Sequence, residues 1–440
     1  MEDFYALRFR ALWKGFLSEG LAFWMICGYL FFEYVRPQSL YPAIDFLPWS
    51  QLFVIGALVG WFFDQKARWV SVPPTKWLLL YLALIITSVL IAQYPEVSRS
   101  HFSDFYPWIL IYFAIILNVT NRKRFYIFLL IYLFASFKMS FSLARIWAMR
   151  GFAFTDWGLQ GPPGFFTNSG ELAVQMLCYG PVAMCVYLAI KPYLSQWKRW
   201  MMILMPVTAA MTVLGASSRG GQVGLVYQIY ALFLKGRISL KSIVATAIVA
   251  VAAFYALPDA QKARFLNAGE DQTSQQRLLY WKRGKQMMDE YPLLGVGLYN
   301  FAPYFQRHYP QDILFGEAQL PHNIFIQVGT DAGYTGLAVY TILLLQVLGS
   351  CRTARIKAAQ LPQKEGDFIA AVAKGIAVGH IGFVIAGQFV TVGYYPFLWI
   401  NLALSAALLN VVRSEVGATE QSAASIAVRQ INSARQRIHP

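Results

Sequence analysis

An arginine set among glycines, a histidine before an asparagine, and a basic helix between them carry most of the chemistry this sequence can offer. Ser217-Ser218-Arg219-Gly220-Gly221 joins two apolar runs. A guanidinium is a planar, permanently charged fork that suits phosphate oxygens. Glycines let backbone N–H groups approach the same anion. The stretch reads as an anion clamp; the plainer alternative is a loop arginine reaching for the interface. Pro321-His322-Asn323 opens a later apolar run. The partial positive charge at a helix N-terminus disfavours imidazolium, and a general base must be neutral before it acts. The alternative is an ordinary interfacial histidine. Between the two lie Arg277, Lys282, Arg283 and Lys285. Arg277 falls in the first turn of its helix and is best placed to meet an anion; the others suit a solvated face.

Other chemistries are absent. No P-loop is present, which argues against ATP hydrolysis, and no D-x-D pair, which argues against a metal-dependent nucleotide-sugar transferase. There is no H-E-x-x-H. Ala216-Ser-Ser-Arg-Gly220 approaches a nucleophile elbow, but that motif needs a strand–turn–helix setting. The four cysteines, Cys27, Cys178, Cys185 and Cys351, lie in or beside apolar runs with no CxxC or Cys/His grouping. Neither a disulfide framework, a metal site nor a cofactor is expected.

The elements that must position these residues are membrane helices. Only 13% of the 440 residues are charged and 57% are hydrophobic, against about 25% charged in soluble domains. Apolar runs of about 17 residues or more recur, long enough for roughly 30 Å of hydrocarbon. About twelve spans are expected, near 17–35, 49–64, 76–92, 105–119, 124–143, 170–190, 200–217, 219–235, 240–257, 322–349, 368–391 and 394–412. The fold class is therefore all-α, a polytopic helical bundle over 1–412. The net charge of +15 could suggest nucleic acid, but the basic residues cluster on alternate connections, at Arg8, Arg122, Lys198, Lys235 and Arg355 among others. Topology explains them better and places both termini in the cytoplasm. The tail 413–440 is polar. The long connection 258–321, between spans nine and ten, lies on the opposite side. Within it, Leu278, Trp281, Lys285 and Met288 predict a helix over 274–290, with Thr273 or Ser274 as N-cap. The run 292–300 reads as a turn-rich strip. Lys138, Glu171, Asp331, Lys374 and His380 are polar exceptions inside spans, for which pairing across helices is the simple reading. The small residues around Asp331 favour close helix packing.

Taken in order, Ser217-Ser-Arg-Gly-Gly221, the helix opening at Arg277, Pro292-Leu-Leu-Gly-Val-Gly-Leu-Tyr-Asn-Phe301, His322-Asn323 and Asp331-Ala-Gly-Tyr-Thr-Gly336 resemble the bacterial O-antigen ligases and related O-antigen polymerases. Gly164-Phe-Phe-Thr-Asn168 is similar to a further family element, without its usual Pro-Asn ending. Glu33-Tyr-Val-Arg-Pro-Gln38 is similar to a subgroup of exosortase-associated O-glycosylation ligases. The resemblance implies an inner-membrane glycosyltransferase of GT-C-like type. Such an enzyme moves a glycan from undecaprenyl pyrophosphate to lipid A–core oligosaccharide at the periplasmic face, with inversion and without metal or ATP. It implies that Arg219 and Arg277 hold the pyrophosphate and that His322 is the general base, with Asn323, Ser218, Gly220 and Asn168 in support. A polymerase or a protein O-glycosylation ligase would use the same donor. A lipid-linked glycan transporter would place its charges near the midplane and show inverted repeats, and a scaffold would tolerate loss of Arg219 and His322. The sequence settles neither the acceptor nor the oligomeric state.

Overall fold

The structure, a computed structural model, describes residues 1–64, 67–155, 158–233 and 269–438, isolated positions between 234 and 268, and side chains as far as 421. Among these residues all regular structure is helical. Two short helices, Glu2–Tyr5 and Phe9–Leu17, precede α1 (Leu21–Val35), α2 (Trp49–Phe62), α3 (Pro73–Leu90), α4 (Pro95–Phe102), α5 (Tyr106–Asn118) and α6 (Arg122–Met149). Then come α7 (Ser169–Ile190), α8 (Gln196–Gly215), α9 (Arg219–Phe233), α10 (Gln272–Glu290), α11 (Phe301–His308), α12 (Ile324–Ala358), α13 (Gln363–Ala386) and α14 (Pro396–Ile438).

Among the described residues seven stretches are long and apolar enough to cross a membrane: Pro73–Leu90, Pro95–Asn118, Arg122–Met149, Ser169–Tyr193, Ile324–Ala358, Gln363–Ala386 and Pro396–Gln421. Two further apolar helices, α1 and α2, are shorter. The expected twelve is thus not reached by length and hydropathy alone. Helix α8 opens on Gln196-Trp-Lys-Arg199, which lowers its apolar character. The ninth span expected at 240–257 lies outside the described residues, as do the end of the eighth and part of 258–268.

Close packing at the centre depends on small side chains. Helices α7 and α13 approach where a Cβ on Gly375 would stand 2.7 Å from the Val182 Cα, and one on Gly379 2.6 Å from the Cys178 carbonyl oxygen. Where hydrocarbon surrounds both helices, such contact between backbones favours association more than apolar burial does. Gln228 of α9 donates to the Leu177 carbonyl at 2.7 Å, tying a third helix to the pair.

Helix α12 is broken at Ala332 (φ −135°, ψ 15°) and Gly333 (φ 68°, ψ −172°). A break frees backbone groups that hydrocarbon cannot satisfy. The strip 292–300 supplies them. Val296 N–H donates to Thr330 O at 2.7 Å, Tyr334 N–H to Pro292 O at 2.8 Å, and the Thr335 hydroxyl to Leu293 O. Ser88 of α3 donates to Asp331 O at 2.5 Å. The small residues around Asp331 therefore make a docking point as well as a packing surface. The strip continues into a satellite core of Tyr280, Met287, Val296, Phe301, Tyr304 and Phe305, which welds α10 and α11 to the bundle.

The expected pairing of polar residues inside spans is met by backbone more than by partner side chains. Lys374 donates to Leu232 O at 3.2 Å, His380 Nε2 meets Leu344 O at 3.1 Å, and Lys138 reaches Val35 O at 3.4 Å. Asp331 is fully buried, and the groups that face its carboxyl are the Tyr299 amide and the Tyr394 hydroxyl.

Candidate active site

A cavity of about 960 Å³ opens where the N-termini of α7, α9 and α10 meet the turn before α12. Each of those helices brings the positive end of its dipole to the same space. Arg219, Arg277, His322, Ser218, Gly220 and Asn168 all line it. Six residues singled out from four separate stretches of chain thus share one wall. Asn323 does not line it; its side chain accepts from the Phe325 and Ile326 amides at 2.8 and 3.2 Å and donates to Gln388 O at 3.2 Å. It caps α12 and so fixes the turn that carries His322.

Arg219 begins α9. Its Nη1 meets Asp271 Oδ2 at 3.2 Å and its Nη2 meets Ser274 Oγ at 3.3 Å. Asp271, not Thr273 or Ser274, is the N-cap of α10, which starts at Gln272. Its carboxylate accepts from the Ser274 amide at 3.0 Å and the Ser274 hydroxyl at 2.6 Å. A carboxylate outcompetes a hydroxyl here because it can cap the helix and pair with a guanidinium at once. Burial lifts the Asp271 carboxyl, but Ser274 and Arg219 outweigh it and hold it below the usual range.

Arg277 follows one turn along α10. Its Nε is buried without a partner among the described residues, and burial, then the charge of Arg219, pulls its pKa below the ordinary range. The neighbouring basic residues are engaged or exposed: Arg283 pairs with Asp312 at 2.5 Å and Lys285 with Asp289 at 2.7 Å, while Lys282 is exposed. Two cations face one cavity whose lining carries the carboxylates Asp271 and Glu171, and the pair of guanidinium groups suits an anionic occupant.

His322 sits with φ +51°, a conformation that costs a non-glycine residue of order 1–3 kcal/mol and persists only where its surroundings impose it. Its amide donates to Thr391 Oγ1 at 2.8 Å, and Trp281 Nε1 holds the preceding Pro321 carbonyl at 2.9 Å. Burial, then Arg277, pushes the imidazole down to about 4. A pKa there favours the neutral ring at neutral pH. The causes differ from the expected helix N-terminus, since the amides nearest His322 are already taken by the Asn323 cap.

Ser218 and Gly220 also serve the local structure. The Ser218 hydroxyl accepts from the Gly221 amide at 3.3 Å, so it caps α9 while keeping its own O–H to donate into the cavity it lines. A Cβ at Gly220 would stand 2.7 Å from the Phe389 ring, so this glycine serves packing. Asn168 caps α7, accepting from Gly170 at 2.8 Å, and Glu171 returns to the Asn168 amide at 3.1 Å. Glu171 therefore stands at a helix mouth and not deep in a span. Sequence reasoning missed Asp271, Glu171, Gln319, Thr391 and Tyr395 as cavity residues. The Asn-x-x-Glu spacing of a capping box was the available signal for Glu171; Thr391 and Tyr395 had none.

A family model described as O-Antigen ligase matches residues 182–341, the stretch that holds Arg219, Arg277 and His322. A family of unknown function matches residues 1–146. No curated protein matches the chain.

Proposed function

We propose that this chain is an O-antigen ligase-type glycosyltransferase, a reading supported by the family match over residues 182–341, and that it moves a glycan from undecaprenyl pyrophosphate to lipid A–core oligosaccharide at the periplasmic face of the bacterial inner membrane. The observation that carries the reading is one cavity that unites two arginines and a neutral histidine. The donor's pyrophosphate lies against Arg219 and Arg277, and its lipid tail runs down between spans. An acceptor hydroxyl oxygen attacks the anomeric carbon from the face opposite the pyrophosphate, which inverts that carbon. As the new C–O bond forms, the bond to the pyrophosphate oxygen breaks and its electron pair stays on the leaving group. His322 takes the hydroxyl proton.

The arginines act because negative charge grows on the leaving group during this step. A prearranged donor aimed at developing charge contributes about 10²–10³ in rate. With two fixed cations in place, no divalent ion is needed to stabilise it. The convergent helix N-termini add to the same field.

The test is reconstituted transfer in chelator, with undecaprenyl-pyrophosphate-linked glycan as donor and rough lipopolysaccharide as acceptor. Wild-type protein gives product, and His322→Ala inserts into membranes normally and gives none. Loss of wild-type activity in chelator, restored by magnesium, would sink the metal-free account. A folded wild-type protein with no product on this acceptor redirects the reading to a repeat-unit polymerase or a protein O-glycosylation ligase.

A further inference from the structure

Beside the cavity the chain builds a stack of rings, exposed at His101, that the transfer step itself does not use. Tyr395 lines the cavity wall. Its neighbour Tyr394 meets the ring of Tyr299 at 5.6 Å, and Tyr299 stacks on His101 at 4.4 Å and 19°. His101 Nδ1 lies 2.8 Å from Asp104 Oδ2, and the two side chains stay 42% and 50% exposed.

Tyr299 has φ +58°, a conformation that an aromatic residue adopts only under constraint. The constraint is visible. Asn300 accepts from the Tyr94 amide at 2.6 Å and donates to Ser98 Oγ at 2.9 Å. Ser98 in turn donates to Leu298 O at 2.9 Å. These bonds lock the end of the strip to α4, the helix that carries His101. An interfacial aromatic belt would need neither backbone strain nor an exposed His–Asp pair stacked on the ring.

We infer that His101, Asp104 and Tyr299 form a sugar-binding subsite that continues the cavity outward past Tyr395. The apolar C–H face of a sugar ring packs on the outer side of the His101 ring, which Tyr299 backs from beneath, and the His–Asp pair offers a donor and an acceptor to its hydroxyls. Arg99 pairs with Glu96 at 3.2 Å as His101 does with Asp104. The surface is thus balanced in charge and suits neutral sugar over phosphate. Either the donor glycan or the acceptor core can supply that ring. The inference rests on the ligase reading in taking the ligand to be a glycan.

Full-length protein carrying Tyr299→Gly or His101→Ala separates the cases. Glycine accepts φ +58° without strain, so Tyr299→Gly removes the ring and keeps the backbone. In the transfer assay both variants raise KM about tenfold for one substrate, more than they lower kcat; the substrate affected identifies the bound glycan. In parallel, saturation-transfer NMR with core oligosaccharide freed from rough lipopolysaccharide, and with the freed donor glycan, shows contact with wild type that Tyr299→Gly loses. Product formation with unchanged KM values and an unchanged NMR signal overturns the subsite while the ligase reading stands. No product, but an NMR signal lost in Tyr299→Gly, upholds the subsite and overturns that reading. A KM rise that inorganic phosphate reproduces by competition at His101 would mark an anion site and overturn the sugar assignment.

Discussion

Charge at a single residue governs the chemistry proposed for His322. Its pKa is pushed down to about 4 by burial and then by Arg277, so the free enzyme keeps a neutral base well below pH 6. An anion bound between Arg277 and Arg219 offsets the guanidinium charge and eases protonation of the ring. The sign follows: pyrophosphate binding raises the His322 pKa. The acid limb of kcat/KM, which reports free enzyme, is expected near pH 4. The limb of kcat, which reports the bound complex, is expected at higher pH. Coincident limbs, or a free-enzyme limb near the unperturbed 6.5, would remove Arg277 from the imidazole's surroundings. The same residues show what a sequence can disclose. Arg219 and His322 stand out because charged or titratable groups at the mouths of apolar helices are costly and need a reason. Asp271, Glu171 and Thr391 do not stand out, because polar residues at helix ends are ordinary. Only folding brings theirs to the same cavity.

Among the elements, the broken helix α12 ties the site together. His322 precedes it, and the strip docked in its break leads back to α10 and Arg277. The spacing of His322 from Arg277 is therefore expected to depend on Gly333, which lines no part of the cavity, as well as on the direct packing of Gly284 against Ile326. Gly333 has φ +68° with ψ −172°, a region open essentially to glycine alone. A Cβ there would stand 2.6 Å from the Pro292 carbonyl oxygen. Gly333→Ala is expected to cost about 1–3 kcal/mol and to lower transfer several-fold although the residue lies off the cavity wall. Thermal unfolding in detergent and the transfer rate check both. Unchanged activity with lowered stability would mean that the strip supports the fold without setting the site. The run 329–336 was legible as a cluster of small residues, and that pattern fits close packing and a break equally well. Distinguishing them requires the strip, about thirty residues away in sequence, and no local pattern encodes that pairing.

For the whole molecule the open question is which end faces the cytoplasm. Helix direction puts the cavity at one end of the bundle. At the other end Arg122 meets Glu365 at 3.3 Å and Glu415 at 3.2 Å, Arg124 meets Glu19 at 2.6 Å, and Lys364 meets Glu2 at 2.6 Å. Basic residues spaced along the chain on alternate connections are thus gathered at the end remote from the site. Retention of Lys and Arg on the cytoplasmic side would turn the cavity toward the periplasm, as the proposed meeting of a lipid-linked glycan with lipid A–core requires. Cysteine labelling tests this cleanly, because all four native cysteines are buried. Gly316 is exposed, with open space around a Cβ, and lies in the segment leading to His322. Ser414 is exposed beside Glu415. A membrane-impermeant maleimide applied to spheroplasts is expected to label Gly316→Cys fully and Ser414→Cys only after lysis. The reverse pattern would turn the site toward the cytoplasm. There neither periplasmic transfer nor the acceptor proposed here could stand, however well Arg219, Arg277 and His322 are arranged.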